Sequence, residues 1–213
     1  IKIVAGGKFD AIMHFAAFSL VGESMKDPGK YFKNNLANAI NLADAAVAGK
    51  VGRFVFSSTA ATFGEPKEIP ITEHSTQLPI NPYGESKLCF EKALKWYSQI
   101  HGIKYAALRY FNAAGASEKY GEDHNPETHL IPILLQVAQG KREKAMIFGD
   151  DYDTPDGTCI RDYIHIIDLA QAHEKALNAP RSGHYNLGTG SGYSVKQILE
   201  AARKVTGHQI PAD

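Results

Sequence analysis

The feature that most constrains this chain is a repeated order of short apolar runs and capped helix starts. Ala11-Ile-Met-His-Phe-Ala16 is an apolar run of strand length, consistent with a buried parallel strand. Asp27-Pro28 follows as an N-cap with proline at the first helical position. The segment after it carries Leu36, Ile40, Ala43 and Val47 at spacings of three and four, the period of one helix face. Arg53-Phe-Val-Phe-Ser57 reads as the next strand, then a loop bearing Gly and Pro runs to about Ile80. Asn81-Pro82 repeats the helix-start signal, and that helix extends to about His101 before a third strand at Tyr105-Ala-Ala-Leu-Arg-Tyr110. Strands joined by helices of this length can pair only in parallel, with right-handed crossovers. The fold class is therefore α/β around a parallel sheet.

The second half is less regular. A helix is expected over Leu130 to Gly140, a strand over Ala145 to Phe148 and another over Arg161 to Ile164. Asp168 is expected to cap a helix running to about Ala179, and Ser194-Val-Lys-Gln197 has the capping-box pattern of a last helix ending near Gly207. The Ala-Ala-Gly stretch after the third strand suggests a boundary, dividing the chain into 1–113 and 114–213, with segments of the second part returning to the sheet.

Composition narrows the function classes. Lys plus Arg and Asp plus Glu are both 23, which argues against a nucleic-acid binder relying on bulk charge. No apolar stretch is long enough for a transmembrane helix, and Ile1 to Gly7 lack a basic leader. The two cysteines, Cys89 and Cys159, form no CxxC pair, so a reducing, cytoplasmic setting is expected. The histidines show no ligand spacing, and no metal is expected. The chain opens on Ile1 and stops at Ile210-Pro-Ala-Asp213, and we read it as an internal piece of a longer protein.

The candidate chemistry lies at one end of the sheet. Tyr83 and Lys87 are four apart at the start of a helix, on one face. An ammonium beside a phenol favours the phenolate, which could then serve as a base. An exposed aromatic next to a solvated lysine would look the same in sequence. The second strand, however, ends in Ser57-Ser58-Thr59, the first in Phe15-Ala16-Ala17 and the third in Phe111-Asn112. Ligands of parallel α/β sheets sit at such carboxyl ends, although turn chemistry alone also places Ser and Thr there.

With these residues the chain resembles the UDP-hexose 4-epimerases of the extended short-chain dehydrogenase/reductase family. The resemblance rests on Thr59, Tyr83 and Lys87 as a Ser/Thr-Tyr-Lys triad, on His14-Phe-Ala-Ala17 and Val21-Gly-Glu-Ser24, and on Asn81-Pro-Tyr-Gly-Glu-Ser-Lys87. Above all it rests on the run from Phe148-Gly-Asp-Asp to Arg161-Asp-Tyr-Ile-His165. It implies a Rossmann-like, doubly wound sheet, truncated, with part of a smaller α/β substrate domain. It also implies tightly bound NAD, a UDP-hexose substrate and interconversion of UDP-glucose and UDP-galactose through transient oxidation at sugar C4. Tyr83 would take the 4-hydroxyl proton, Thr59 would hold the C4 oxygen and Lys87 would bind the nicotinamide ribose. The implied NAD contacts are Phe15, Ala16, Ala17, Phe18, Ser19, Asn35, Thr59, Tyr83, Lys87 and Phe111. The implied nucleotide-sugar contacts are Thr59, Tyr83, Asn112, His129, Leu130, Met146, Ile147, Phe148 and Arg161. Arg161 suits a diphosphate because its fork can donate to two oxygens, while a pairing with Asp162 is the plainer use. A homodimer through the helices near 27–48 and 82–101 is implied as well.

No glycine-rich G-x-x-G-x-x-G turn follows a strand here, and the family carries that turn in a unit that would precede Ile1. The chain alone is therefore expected to bind NAD poorly and to be inactive. A strand before Ile1 is expected to pair with the run at Ala11 to Ala16, which otherwise becomes an open edge. A nucleotide-sugar dehydratase is the sibling reading; it needs an acid after Thr59, where this chain has Ala60-Ala61. Epimerases of UDP-uronates, UDP-pentoses or UDP-N-acetylhexosamines stay open, as does a non-catalytic nucleotide-sugar binding module.

Overall fold

The computed structural model describes residues 2–213. Its elements are α1 (Lys2–Gly6), β1 (Ala11–His14), α2 (Val21–Ser24), α3 (Pro28–Tyr31), a π-helical segment (Phe32–Ala37), α4 (Asn38–Ala48), β2 (Arg53–Thr59), a 3-10 turn (Ala60–Phe63), α5 (Pro82–His101) and β3 (Lys104–Tyr110). Then come β4 (Asn112–Ala114), α6 (Leu130–Ala138), β5 (Ile160–Arg161), β6 (Tyr163–His165), α7 (Ile166–Leu177), β7 (Gly183–Leu187), β8 (Tyr193–Ser194) and α8 (Val195–Thr206). The chain divides into two compact units, one of 1–111 with 169–187 and one of 112–168 with 188–213.

The first unit holds a four-stranded sheet in the order β1-β2-β3-β7, parallel throughout. The alternation of side chains along each strand builds two cores. Phe54 and Phe56 of β2 and Tyr105 and Ala107 of β3 face Ala39, Ala43, Phe90 and Leu94 from α4 and α5. Val55, Ala106 and Leu108 face the other way, onto Ala176 of α7. Every residue of β2 is buried, as expected of a strand covered by helices on both sides. This is the parallel α/β sheet the pattern predicts, in the Rossmann-like form the resemblance implies. β7, a fourth strand that the apolar pattern does not announce, pairs beside β3.

Two starts follow the local chemistry closely. The Asn81 side chain accepts from the Gly84 N–H at 2.8 Å, Pro82 opens α5, and Gly102 closes it at φ 74°. Asp27 likewise accepts from Lys30 N–H at 3.1 Å. The single helix expected after it is instead broken by the π-helical turn Phe32–Ala37.

In the second unit α6 and α8 bury Leu134, Val137, Leu199 and Ile210 together. β4 pairs in parallel with β6, and β5 pairs antiparallel with β8. Ser194 and Gln197 complete both halves of the capping box of α8. Two expectations need correction here. Ala145 to Phe148 makes only an isolated bridge, Ala145 to Ala212, because a few residues of the C-terminal segment are its sole ladder partner among the described residues. Helix α7 starts at Ile166, where the His165 ring takes the Ile167 N–H at 3.2 Å; Asp168 sits inside the first turn rather than at the cap.

Candidate functional site

The first unit gathers Thr59, Tyr83 and Lys87 around the carboxyl end of β2. Thr59 is the last residue of β2, and its Oγ1 accepts from the Ala61 N–H at 3.1 Å, starting the 3-10 turn. Gly84 lets α5 come against that turn, since a Cβ there would lie 2.6 Å from the Ala61 carbonyl oxygen. The neighbouring Tyr83 is thereby brought towards Thr59, whose side chain acts to lower the Tyr83 pKa. One turn on, Lys87 is buried and donates to the Ser57 carbonyl oxygen at 2.8 Å. Its ammonium lies 4.9 Å from the Phe56 ring centre and 5.9 Å from that of Tyr83.

Electrostatics here run differently from the sequence expectation. Burial raises the Tyr83 hydroxyl above its usual range, and the Thr59 hydrogen bond opposes it only in part. Burial also lowers Lys87 to about 8, against the pull of Glu91. The lysine donates to a backbone carbonyl and stands 5.9 Å from the centre of the tyrosine ring, and among the described residues no hydrogen bond joins its Nζ to the phenol. Its field therefore does not bring the phenol down in this chain by itself.

The remaining first-unit candidates surround this centre. Phe15, Ala16, Phe18 and Ser19 are exposed just past β1, with Ala17 partly covered. Asn35 is 1% exposed and sits in the π-helical turn, a feature common at functional sites. Its amide clamps the Phe18 backbone from both sides, Oδ1 accepting from the N–H and Nδ2 donating to the carbonyl, each at 2.9 Å. Phe111 is held through its N–H to the Leu187 carbonyl. Sequence reasoning passed over two participants. His14 stacks on Phe56 at 5.8 Å, and Glu91, four residues after Lys87 on the same helix face, is buried. The i, i+4 spacing was the available signal for the second.

These residues fit a dinucleotide. Lys87 has spent one of its three N–H groups on the protein, leaving donors for ribose hydroxyls. The small and apolar residues exposed after β1 let a flat ring lie against backbone.

The second unit carries the other candidates. Asn112, His129 and Leu130 line one cleft of about 590 Å³. Met146, Ile147, Phe148 and Arg161 are not part of that lining. Ile147 packs in the α6–α8 core, whereas Phe148 is 82% exposed. Arg161 is exposed and donates to its neighbour's carbonyl, Ile160 O, at 2.9 Å. The pairing with Asp162 does not occur, because that carboxylate is taken up by Thr189 and Gly190.

Residues 1–188 match the NAD dependent epimerase/dehydratase family. Over 210 residues the chain is 61% identical to the UDP-glucose 4-epimerase of Streptococcus mutans serotype c, covering 96% of this chain and 63% of that protein. It superposes on a crystal structure of a UDP-glucose 4-epimerase with a TM-score of 0.95 at 54% identity, covering 100% of this chain and 66% of that one. It also superposes on the Brucella ovis UDP-glucose 4-epimerase in complex with NAD, with a TM-score of 0.93 at 46% identity over 96% of this chain and 65% of that one. The chain thus spans a little under two thirds of the length of the S. mutans relative.

Proposed function

Since the chain belongs to the NAD dependent epimerase/dehydratase family, we propose that protein carrying it interconverts UDP-glucose and UDP-galactose at sugar C4, with NAD as its resident cofactor. The observation that carries this reading is the meeting of Thr59, Tyr83 and Lys87 at the carboxyl end of β2. NAD, when bound, supplies an acceptor that takes hydride from C4 and gives it back. The protein does the rest. Tyr83 in its phenolate form, which Thr59 supports as a hydrogen-bond partner, accepts the proton of the 4-hydroxyl and returns it to the C4 oxygen. Lys87, held by Ser57, presents its remaining N–H groups to the nicotinamide ribose. Phe15, Ala16, Ala17, Phe18 and Ser19, with Asn35 behind them, and Phe111 line the cofactor's place. Asn112, His129, Leu130, Met146, Ile147, Phe148 and Arg161 take the nucleotide sugar.

A cytoplasmic homodimer completes the proposal. Two free cysteines suit a reducing compartment. Trp96 and Ile100, 63% and 68% exposed on α5, give the helix pair near 27–48 and 82–101 an apolar surface for a second copy.

The test is Tyr83→Phe in protein of the relatives' length that carries this sequence, assayed for conversion of UDP-galactose. Loss of a general base predicts a fall of about 10²–10⁴-fold in turnover, with UDP binding by calorimetry retained. Unchanged turnover would end the assignment of Tyr83.

A further inference from the structure

The stretch from Gly115 to His129, between β4 and α6, forms no helix or strand. Loops of this length with no secondary structure of their own are uncommon in compact domains. Four side chains converge within it. Glu122, His124, Glu127 and His129 each bring one ligand-capable atom within 4.8 Å of all the others. His124 Nδ1 touches Glu122 Oε1. His129 Nδ1 lies 2.8 Å from Glu127 Oε1 and 3.7 Å from Glu122 Oε1. The two imidazole rings are 5.1 Å apart at 60°.

The carboxylate of Glu127 is fixed before any ligand arrives. Its side chain is 4% exposed, and Oε1 accepts from the backbone N–H groups of Thr128 at 2.7 Å and His129 at 2.8 Å. Two carboxylates this close repel unless positive charge lies between them. Among the described residues, neither forms an ion pair with a lysine or arginine; imidazoles are their only ion-pair partners.

We propose that Glu122, His124, Glu127 and His129 bind one divalent transition-metal ion. Two borderline imidazole nitrogens with two carboxylate oxygens make a mixed set that suits Zn²⁺, whereas an all-oxygen set would suit Mg²⁺ or Ca²⁺. Four protein ligands fill a tetrahedron and leave no open position, so the ion is structural. It ties the loop to the N-cap residue of α6 and stiffens the wall of the cleft lined by His129 and Leu130. With Nδ1 on the metal, Nε2 of His129 stays available as a donor to whatever occupies that cleft. Sequence spacing hides the site because the ligands fall at intervals of two and three in a loop, and only the turn of the backbone brings them together.

The site does not depend on the activity proposed above, and its test needs no turnover. Untagged chain purified without chelator from zinc-supplemented medium is analysed by plasma mass spectrometry. The result expected is about one zinc per chain. Cobalt in its place gives the intense visible bands of a tetrahedral site. Added Zn²⁺ raises the Tm of the stripped wild-type chain by mass action. His124→Ala, a change at a ring 48% exposed, and Glu122→Gln lose the metal and the Tm response while keeping the far-ultraviolet circular dichroism. Substoichiometric zinc near background in wild-type protein, or full occupancy in the doubly substituted chain, overturns the proposal.

Discussion

His14 carries an imidazole into a nest of phenyl rings, and that placement sets an acid limit on the fold. Its ring stacks on Phe56 and meets Phe54 and Phe90 edge-on, at centre distances of 5.8, 5.9 and 6.1 Å. Burial, with the Lys87 ammonium adding to it, lowers its pKa from 6.5 to about 4. The folded chain thus refuses a proton that the unfolded chain accepts. The stability this represents is fully present above pH 6.5 and is lost as pH falls towards 4. Between pH 7 and pH 4.5 the loss amounts to about 2 kcal/mol. Urea unfolding of wild type and His14→Gln at both pH values checks this. The substitution destabilises the chain at pH 7, and the gap between the two proteins narrows by about 2 kcal/mol at pH 4.5. An equal gap at both values would mean that the imidazole titrates normally.

Helix α5 positions the candidate centre because two of its buried side chains anchor it to the sheet. Lys87 bonds the end of β2. Glu91, one turn further, receives Nε of Arg109 at 2.9 Å and Nη2 at 2.6 Å from β3, and a hydroxyl from Ser58 of β2. Arg109 is itself buried, lying 5.1 Å over the Phe63 ring. Removing one partner leaves an unpaired charge in the interior, so Glu91→Leu should cost about 3–5 kcal/mol. Glu91→Leu with Arg109→Met removes both charges and should recover most of that loss, since two apolar side chains of similar volume need no solvation. Denaturant midpoints of the three proteins decide the matter, and a double substitution no better than the single would contradict it. The same helix marks how far sequence reading reaches. Its start and stop were legible because Asn81, Pro82 and Gly102 act through backbone chemistry confined to a few residues, as do Ser194 and Gln197 in α8. What was not legible depends on distant partners. β7 is five residues of mixed polarity that become a strand only because β3 offers an edge. The bridge at Ala145 and the π-turn at Phe32–Ala37 are likewise decided by packing. At the candidate site, the residue types and the shared face of Tyr83 and Lys87 could be read. The direction of the Tyr83 shift could not, because it depends on burial and on Lys87 being committed to Ser57.

At the scale of the whole molecule, charge balance and one open edge act together on how the chain behaves in solution. Equal numbers of acidic and basic residues give a pI near 7.3, so near neutral pH the molecules carry little mutual repulsion. β1 is the terminal strand of its sheet, paired with β2 alone among the described residues. A flat apolar edge without a partner is a template for another copy. Met13 lies in that strand at 38% exposure, and exposed Phe15, Phe18, Val21 and Met25 follow it. Scattering from the 213-residue chain should therefore rise with concentration at pH 7.3 and relax as pH moves away from the pI. Met13→Lys places a charge on the edge strand, a device natural edges use against pairing, and should lower the association at unchanged stability. Met13→Leu keeps the apolar edge and should leave it as in wild type. Light scattering across a concentration series of the three chains makes the comparison. If the lysine substitution scatters as strongly as the leucine one, association runs through another surface, of which the Trp96 and Ile100 face of α5 is the next to test.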